Sequence, residues 1–151
     1  MEAYIRESAL SLLQQDRWRG IMVNEVLEDG FVRNHIDVPQ AEGNFYDNVY
    51  GGFLMSIVDT AGCMVPWTYG KFVVTQAADI HFLAGAKVGD RLIAEGRSLH
   101  CGSSSAVSDV RVCDSKGNLC VQATVTMHIT GPITPDGAVP EVKPALATST
   151  R

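Results

Sequence analysis

The chain predicts an α+β fold in which a six-stranded antiparallel sheet curls around one central helix, and three observations predict it. One stretch, 52–65, is apolar on nearly every side of a helix, so the helix is expected to be buried all round. Runs with strand character flank it, two before and four after. The connections between successive runs are short, which favours antiparallel pairing.

Residues 2–16 carry Ile5, Ala9, Leu12 and Leu13 at helical spacing, with Arg6, Glu7, Gln14 and Gln15 among them, the pattern of an amphipathic helix. From Gly20 the period changes. Runs 21–27 and 31–38, the second with Val32, Ile36 and Val38 on one face, are separated by Asp29-Gly30, a hairpin signal. A polar loop, 39–50, leads into the central helix, whose end is marked by Pro66 and Gly70. Strands are expected at 72–82, 91–100, 104–113 and 119–130, with turns at 84–90, Cys101-Gly102 and 114–118. In the third of these Val107, Asp109, Arg111 and Cys113 alternate with Ser108, Val110 and Val112. Residues 131–151 hold four of the six prolines and little periodicity, and read as a loose tail. The expectation is one domain over 1–130, with its core at about 20–130.

The composition, 46% hydrophobic and 19% charged over 151 residues, suits one sizeable core. A net charge of -5 and a pI near 5.2 argue against a nucleic-acid surface or a basic membrane-binding face. Cys63, Cys101, Cys113 and Cys120 form no CxxC pair and no regular spacing with His35, His81, His100 or His128, so no metal site is expected. No other cofactor is implied. The N-terminus lacks the apolar core of a signal peptide, and no apolar run reaches the ~18 residues of a membrane span. The reading is a cytoplasmic protein with reduced thiols.

Asp59 is the anomaly in the central helix. A carboxylate there must be paired, hydrogen-bonded, exposed through a gap or protonated, because burying it alone costs roughly several kcal/mol. Satisfaction by backbone N–H groups or by Thr60 is the alternative to function. Gly51-Gly52 at the helix start suits close packing or a tight entry turn as well as a ligand. His81 and His128 read as ordinary strand histidines, and Ser103, Ser104 and Ser105 as a turn without the strand-Gly-x-Ser-x-Gly-helix context of a serine hydrolase.

Asn44, a six-residue step to Tyr50-Gly51-Gly52, Asp59 eight residues after Gly51, and the following stretches 75–90 and 114–126 resemble the hotdog-fold acyl-CoA thioesterases of the phenylacetate-pathway (PaaI-like) type. The resemblance covers roughly 20–130. It implies that the Gly51 backbone N–H meets the thioester carbonyl at a helix N-terminus, where developing negative charge is favoured. It also implies that Asp59 acts as general base or nucleophile, with Asn44 and Thr75 helping to hold the water or the carboxylate. Gly52 and Tyr50 would border the substrate. Tyr50 departs from the histidine common in the family; a phenol also donates a hydrogen bond, with longer reach and higher pKa.

Helix geometry adds a constraint. At ~1.5 Å per residue, Gly51 and Asp59 lie about 12 Å apart along the axis. If both serve one carbonyl, one must come from another copy, as in a homodimer or dimer of dimers. The alternatives are a hotdog protein that binds acyl-CoA or another small ligand without turnover, and a hydratase-type hotdog enzyme, for which no second acid and base stand in place. Lys87, Arg91 and Arg97 are ordinary surface charges unless some of them meet the phosphates of coenzyme A.

Overall fold

The computed structural model describes residues 1–139. Asp29-Gly30 reverses the chain, with Gly30 at φ +79°, a conformation glycine adopts without strain. The reversal pairs β1 (Met22–Glu28) with β2 (Phe31–Asp37). After the loop comes the central helix, preceded in the chain by a short N-terminal one: α1 is Ala3–Ser11 and α2 is Gly51–Trp67. Strands β3 (Lys71–Phe82), β4 (Arg91–Cys101), β5 (Ser105–Cys113) and β6 (Leu119–Pro132) complete a six-stranded sheet in the order β1-β2-β4-β5-β6-β3. Every neighbouring pair is antiparallel. The sheet wraps α2, which is the hotdog architecture.

The alternation expected in β5 sends Val110 and Val112 inward, beside Val121, Ala123, Val125 and Met127 of β6, all essentially without solvent exposure. Phe53, Ile57, Val58, Ala61, Met64 and Val65 of α2 meet them. Each large side chain buried this way stabilises the fold by about 1.5–3 kcal/mol. Close approach of helix to sheet requires Gly96: a Cβ there would lie 2.9 Å from the Ala61 carbonyl oxygen and 2.8 Å from Val65 Cγ2.

The structure differs from four expectations. The first helix ends at Ser11 and tightens into a 3-10 turn, Leu12–Gln14, because the chain must fold back to insert Trp18, whose Nε1 donates to Thr60 Oγ1 at 3.0 Å. Pro66 lies inside α2 and does not end it. Its missing N–H would leave the Gly62 carbonyl without the usual helical donor, and Ser108 Oγ, reaching across from β5, donates to that carbonyl at 3.1 Å. The sheet continues past 130: Pro132 pairs with Lys71, and the Ile133 N–H donates to the Gly70 carbonyl at 2.8 Å. The remainder of the expected tail, 140–151, lies outside the described residues. Finally, α2 is not buried all round, since Met55 and Asp59 are exposed.

The outer face of the sheet is polar. Arg33 bridges Glu25 at 2.9 Å and Glu95 at 3.1 Å, and Arg91 bridges Asp37 at 2.7 Å. The His35 hydrogen bond, with Arg33 beside it, holds the Glu25 carboxyl below its ordinary range, and Arg91 does the same to Asp37. Exposed pairs of this kind contribute little to stability.

Candidate active site

The open stripe of α2 carries Gly51, Met55, Asp59 and Cys63, four residues apart and therefore on one face of the helix. Beside it runs β3, at the edge of the sheet, where Thr75 through Asp79 are all exposed. The structure brings the expected site residues together in two groups on this open side.

The first group is Asp59 with Thr75. Thr75 Oγ1 donates to Asp59 Oδ1 at 2.6 Å, so one carboxylate oxygen is held and the other is free. A β-bulge makes this possible. Ala78 and Ile80 pair with the inward-facing Val125 and Ala123, and strict alternation would put Gln76 on the helix side. The register shift between Thr75 and Ala77 inserts one residue, so that Thr75 pairs with buried Met127 and faces α2.

The second group is Gly51 with Asn44. Both line a cleft of about 320 Å³, closed on its other side by Phe82, Leu83 and Gly85. Tyr50 is the N-cap and makes no side-chain capping bond. The first helical hydrogen bonds come from Phe53 and Leu54 to the Tyr50 carbonyl, so the N–H groups of Gly51 and Gly52 have no acceptor among the described residues. These are the positive end of the helix dipole, able to receive an oxygen that gains negative charge. Asn44 Oδ1 accepts from the Tyr46 and Asn48 N–H groups, which shapes the loop and leaves its Nδ2 as the group it can offer to the cleft.

The two glycines differ in why they are glycine. A Cβ at Gly52 would come within 2.4 Å of the Tyr50 ring, which packs over it. At Gly51 a Cβ would sit at ordinary contact distance, 3.5 Å from Phe82. The chain's own packing therefore does not demand a glycine at 51. Tyr50, exposed at the helix start, packs over Gly52, and neither of the two lines this cleft.

Sequence reasoning missed Cys63, whose Sγ lies 3.4 Å from Thr75 Oγ1. Burial, with the nearby Asp59 charge adding to it, pushes its thiol up to about 11. The signal was present as the four-residue step from Asp59 on a helix. The cleft wall at Phe82 to Gly85 was also missed, since it was read as strand end and turn. Among the described residues no cluster of His, Cys, Asp and Glu could hold a metal ion, and no helix is long and apolar enough to cross a membrane.

Comparison with known proteins places the chain in a family. The family model described as thioesterase superfamily matches residues 46–121, which include the helix, both glycines, Asp59 and Thr75. A hypothetical thioesterase of Streptococcus pneumoniae, solved with coenzyme A, is 31% identical, with a TM-score of 0.71 over 74% of this chain and 90% of that one. The same protein has been solved with alanine replacing an aspartate and with alanine replacing a threonine, at positions sixteen residues apart. The PaaI protein from the phenylacetic acid degradation operon of E. coli shares the fold at 22% identity, with a TM-score of 0.79 over 85% of this chain and 95% of that one. A relative from Archaeoglobus fulgidus that carries an esterase name is 22% identical over 68% of this chain and 66% of its own length, a little under two thirds. With half of its residues matched by the family model and the hotdog architecture around them, the chain belongs to the thioesterase superfamily, a family of thioester hydrolases.

Proposed function

We propose that the protein hydrolyses an acyl-CoA thioester to the free acid and coenzyme A, as a cytoplasmic homodimer or dimer of dimers with each site shared between two copies. The observation that carries this reading is the open side of the molecule. Asp59, held through one oxygen by Thr75, and the N–H groups of Gly51 and Gly52, which have no acceptor among the described residues, lie on the same face of α2, about 12 Å apart by helical rise. A second copy, antiparallel across this face, sets the Asp59 of one chain beside the Gly51 of the other.

In that arrangement the thioester carbonyl oxygen lies against the Gly51 N–H, and charge that develops on it meets the positive end of the helix. Asp59 takes the proton from a water that attacks the carbonyl carbon and returns it to the departing sulfur, or attacks the carbon directly to form an acyl anhydride that water then hydrolyses, its proton going to the sulfur. The C–S bond breaks and coenzyme A leaves as the thiol. Thr75 keeps the carboxylate in register, and Asn44 shapes the loop and faces the same cleft. The cleft beside Gly51, with Phe82 and Leu83 on its wall, suits an apolar acyl group or the pantetheine arm. Support comes also from the pneumococcal thioesterase solved with coenzyme A. Its two alanine positions have the same separation as Asp59 and Thr75, sixteen residues.

The test is a panel of aryl- and medium-chain acyl-CoA thioesters with a thiol-detecting reagent. Release of free coenzyme A is the expected result. Saturable binding across the panel without thiol release identifies a binding protein instead, and Tyr50 in place of histidine is then the first residue to change.

A further inference from the structure

Asp59 and Cys63 stand one turn apart on α2, and Thr75 lies between them across the bulged edge strand. The direction of the two contacts follows from proton counting. An ionised carboxylate only accepts, so the single Thr75 proton goes to Asp59 Oδ1. The 3.4 Å contact between Thr75 Oγ1 and Cys63 Sγ must then be made with the thiol as donor. Burial supports this, because a thiol pushed up to about 11 keeps its proton throughout the neutral range. The result is a one-way chain, from Cys63 S–H to Thr75 Oγ1 and from Thr75 O–H to Asp59.

We propose that Cys63 is a positioning residue, whose S–H bond to Thr75 Oγ1 selects the threonine rotamer that orients Asp59 for attack on the thioester. Thr75 sits on an exposed edge strand next to a bulge, so packing alone does little to hold its side chain. A donor anchored in the helix supplies the missing constraint. The thiol gives no proton to the reaction and forms no bond to substrate; it acts through Thr75. This inference rests on the role proposed for Asp59.

Because sulfur is a weak donor, Cys63→Ala should lower kcat about three- to ten-fold with KM little changed. Cys63→Ser, which offers a hydroxyl to the same oxygen, should restore most of the loss. In a Thr75→Val background Cys63→Ala should cost nothing further, since the acceptor is already gone. The S–H infrared stretch supplies a readout independent of turnover. The difference spectrum between the parent and Cys63→Ala isolates the Cys63 band, and Thr75→Val should move it to the frequency of an unbonded thiol. An unmoved band, equal impairment of the serine and alanine variants, or additive losses in the double variant would each overturn the proposal. Parental turnover in Asp59→Asn overturns it together with the reading it rests on, and the band then separates that case from a failure of Cys63 alone.

Discussion

The two edges of the sheet are finished in opposite ways. β1 is seven residues long and bulged between Asn24 and Val26. Two of its carbonyls are taken from within the chain: Arg6 of α1 donates to the Leu27 carbonyl at 3.1 Å, and Asn24 Nδ2 to the Val26 carbonyl at 2.9 Å. β3 is twelve residues long, and Val74 through Asp79 are exposed. No side chain or loop among the described residues covers its outer edge. Both edges are bulged, so length and capping make the contrast: short, capped edges resist pairing with another chain, whereas long open ones invite it. The difference teaches that the two edges are not equally available for pairing, and the candidate catalytic residues lie beside the open one.

The largest expected effect tests whether that open side joins two copies in one site. Asp59→Asn should lower kcat about 10²- to 10⁴-fold while the fold persists. Gly51→Pro removes the N–H at the first helical position, where proline is tolerated and Tyr50 already has the extended conformation it requires (φ -72°, ψ 150°); turnover should fall by roughly 10²-fold or more. Neither variant alone is informative about sharing. Mixed dimers of the two should regain about half of the parental rate per dimer, because one of the two sites then keeps both residues. Mixed dimers as inactive as the parents of the mixture would put both residues of a site on one chain.

Next come the edges themselves. Ala77→Lys places a charge on β3 and should shift the mass measured by light scattering towards the monomer, with activity falling at least about ten-fold. Val23→Lys does the same to the exposed face of β1 and should leave mass and turnover within about two-fold of the parent. Equal effects at the two edges would abolish the distinction.

A third variant separates architecture from site. Ser108→Ala leaves the Gly62 carbonyl beneath Pro66 unpaired in a buried position, which should cost about 1–3 kcal/mol in denaturant unfolding. The kcat of the folded protein should be unchanged.

The smallest effect belongs to the outer face. Arg91 lowers the Asp37 carboxyl from its ordinary 3.8, so this group contributes stability that is fully present above that value and lost as pH falls through the lowered one. Asp37→Asn should therefore lower Tm by no more than a few degrees near neutrality, because the pair is exposed. The gap between variant and parent should close in acid below the carboxylate range. A gap that widens on acidification would contradict the direction of that shift.

Much of the architecture was legible in the chain itself. The apolar helix, the alternation of β5 and the Asp29-Gly30 turn are local patterns, and local patterns reflect what each segment must bury. The spacing of Asn44, Gly51, Gly52 and Asp59 was likewise local; it carried the family resemblance that named the candidate site, and the helical rise between Gly51 and Asp59 gave the argument for a second copy. Three things were decided only by the tertiary structure. The bulge that turns Thr75, and not Gln76, towards Asp59 depends on register against β6, which no spacing within β3 reveals. Pro66 stays within α2 because a hydroxyl 42 positions further on completes the carbonyl it abandons. The open stripe that exposes Met55 and Asp59 exists because the sheet stops at β3, so one side of the helix is left uncovered by the chain's own sheet. Sequence determines which faces are apolar; which of them the chain's own sheet can reach is set by how many strands there are and where each edge falls.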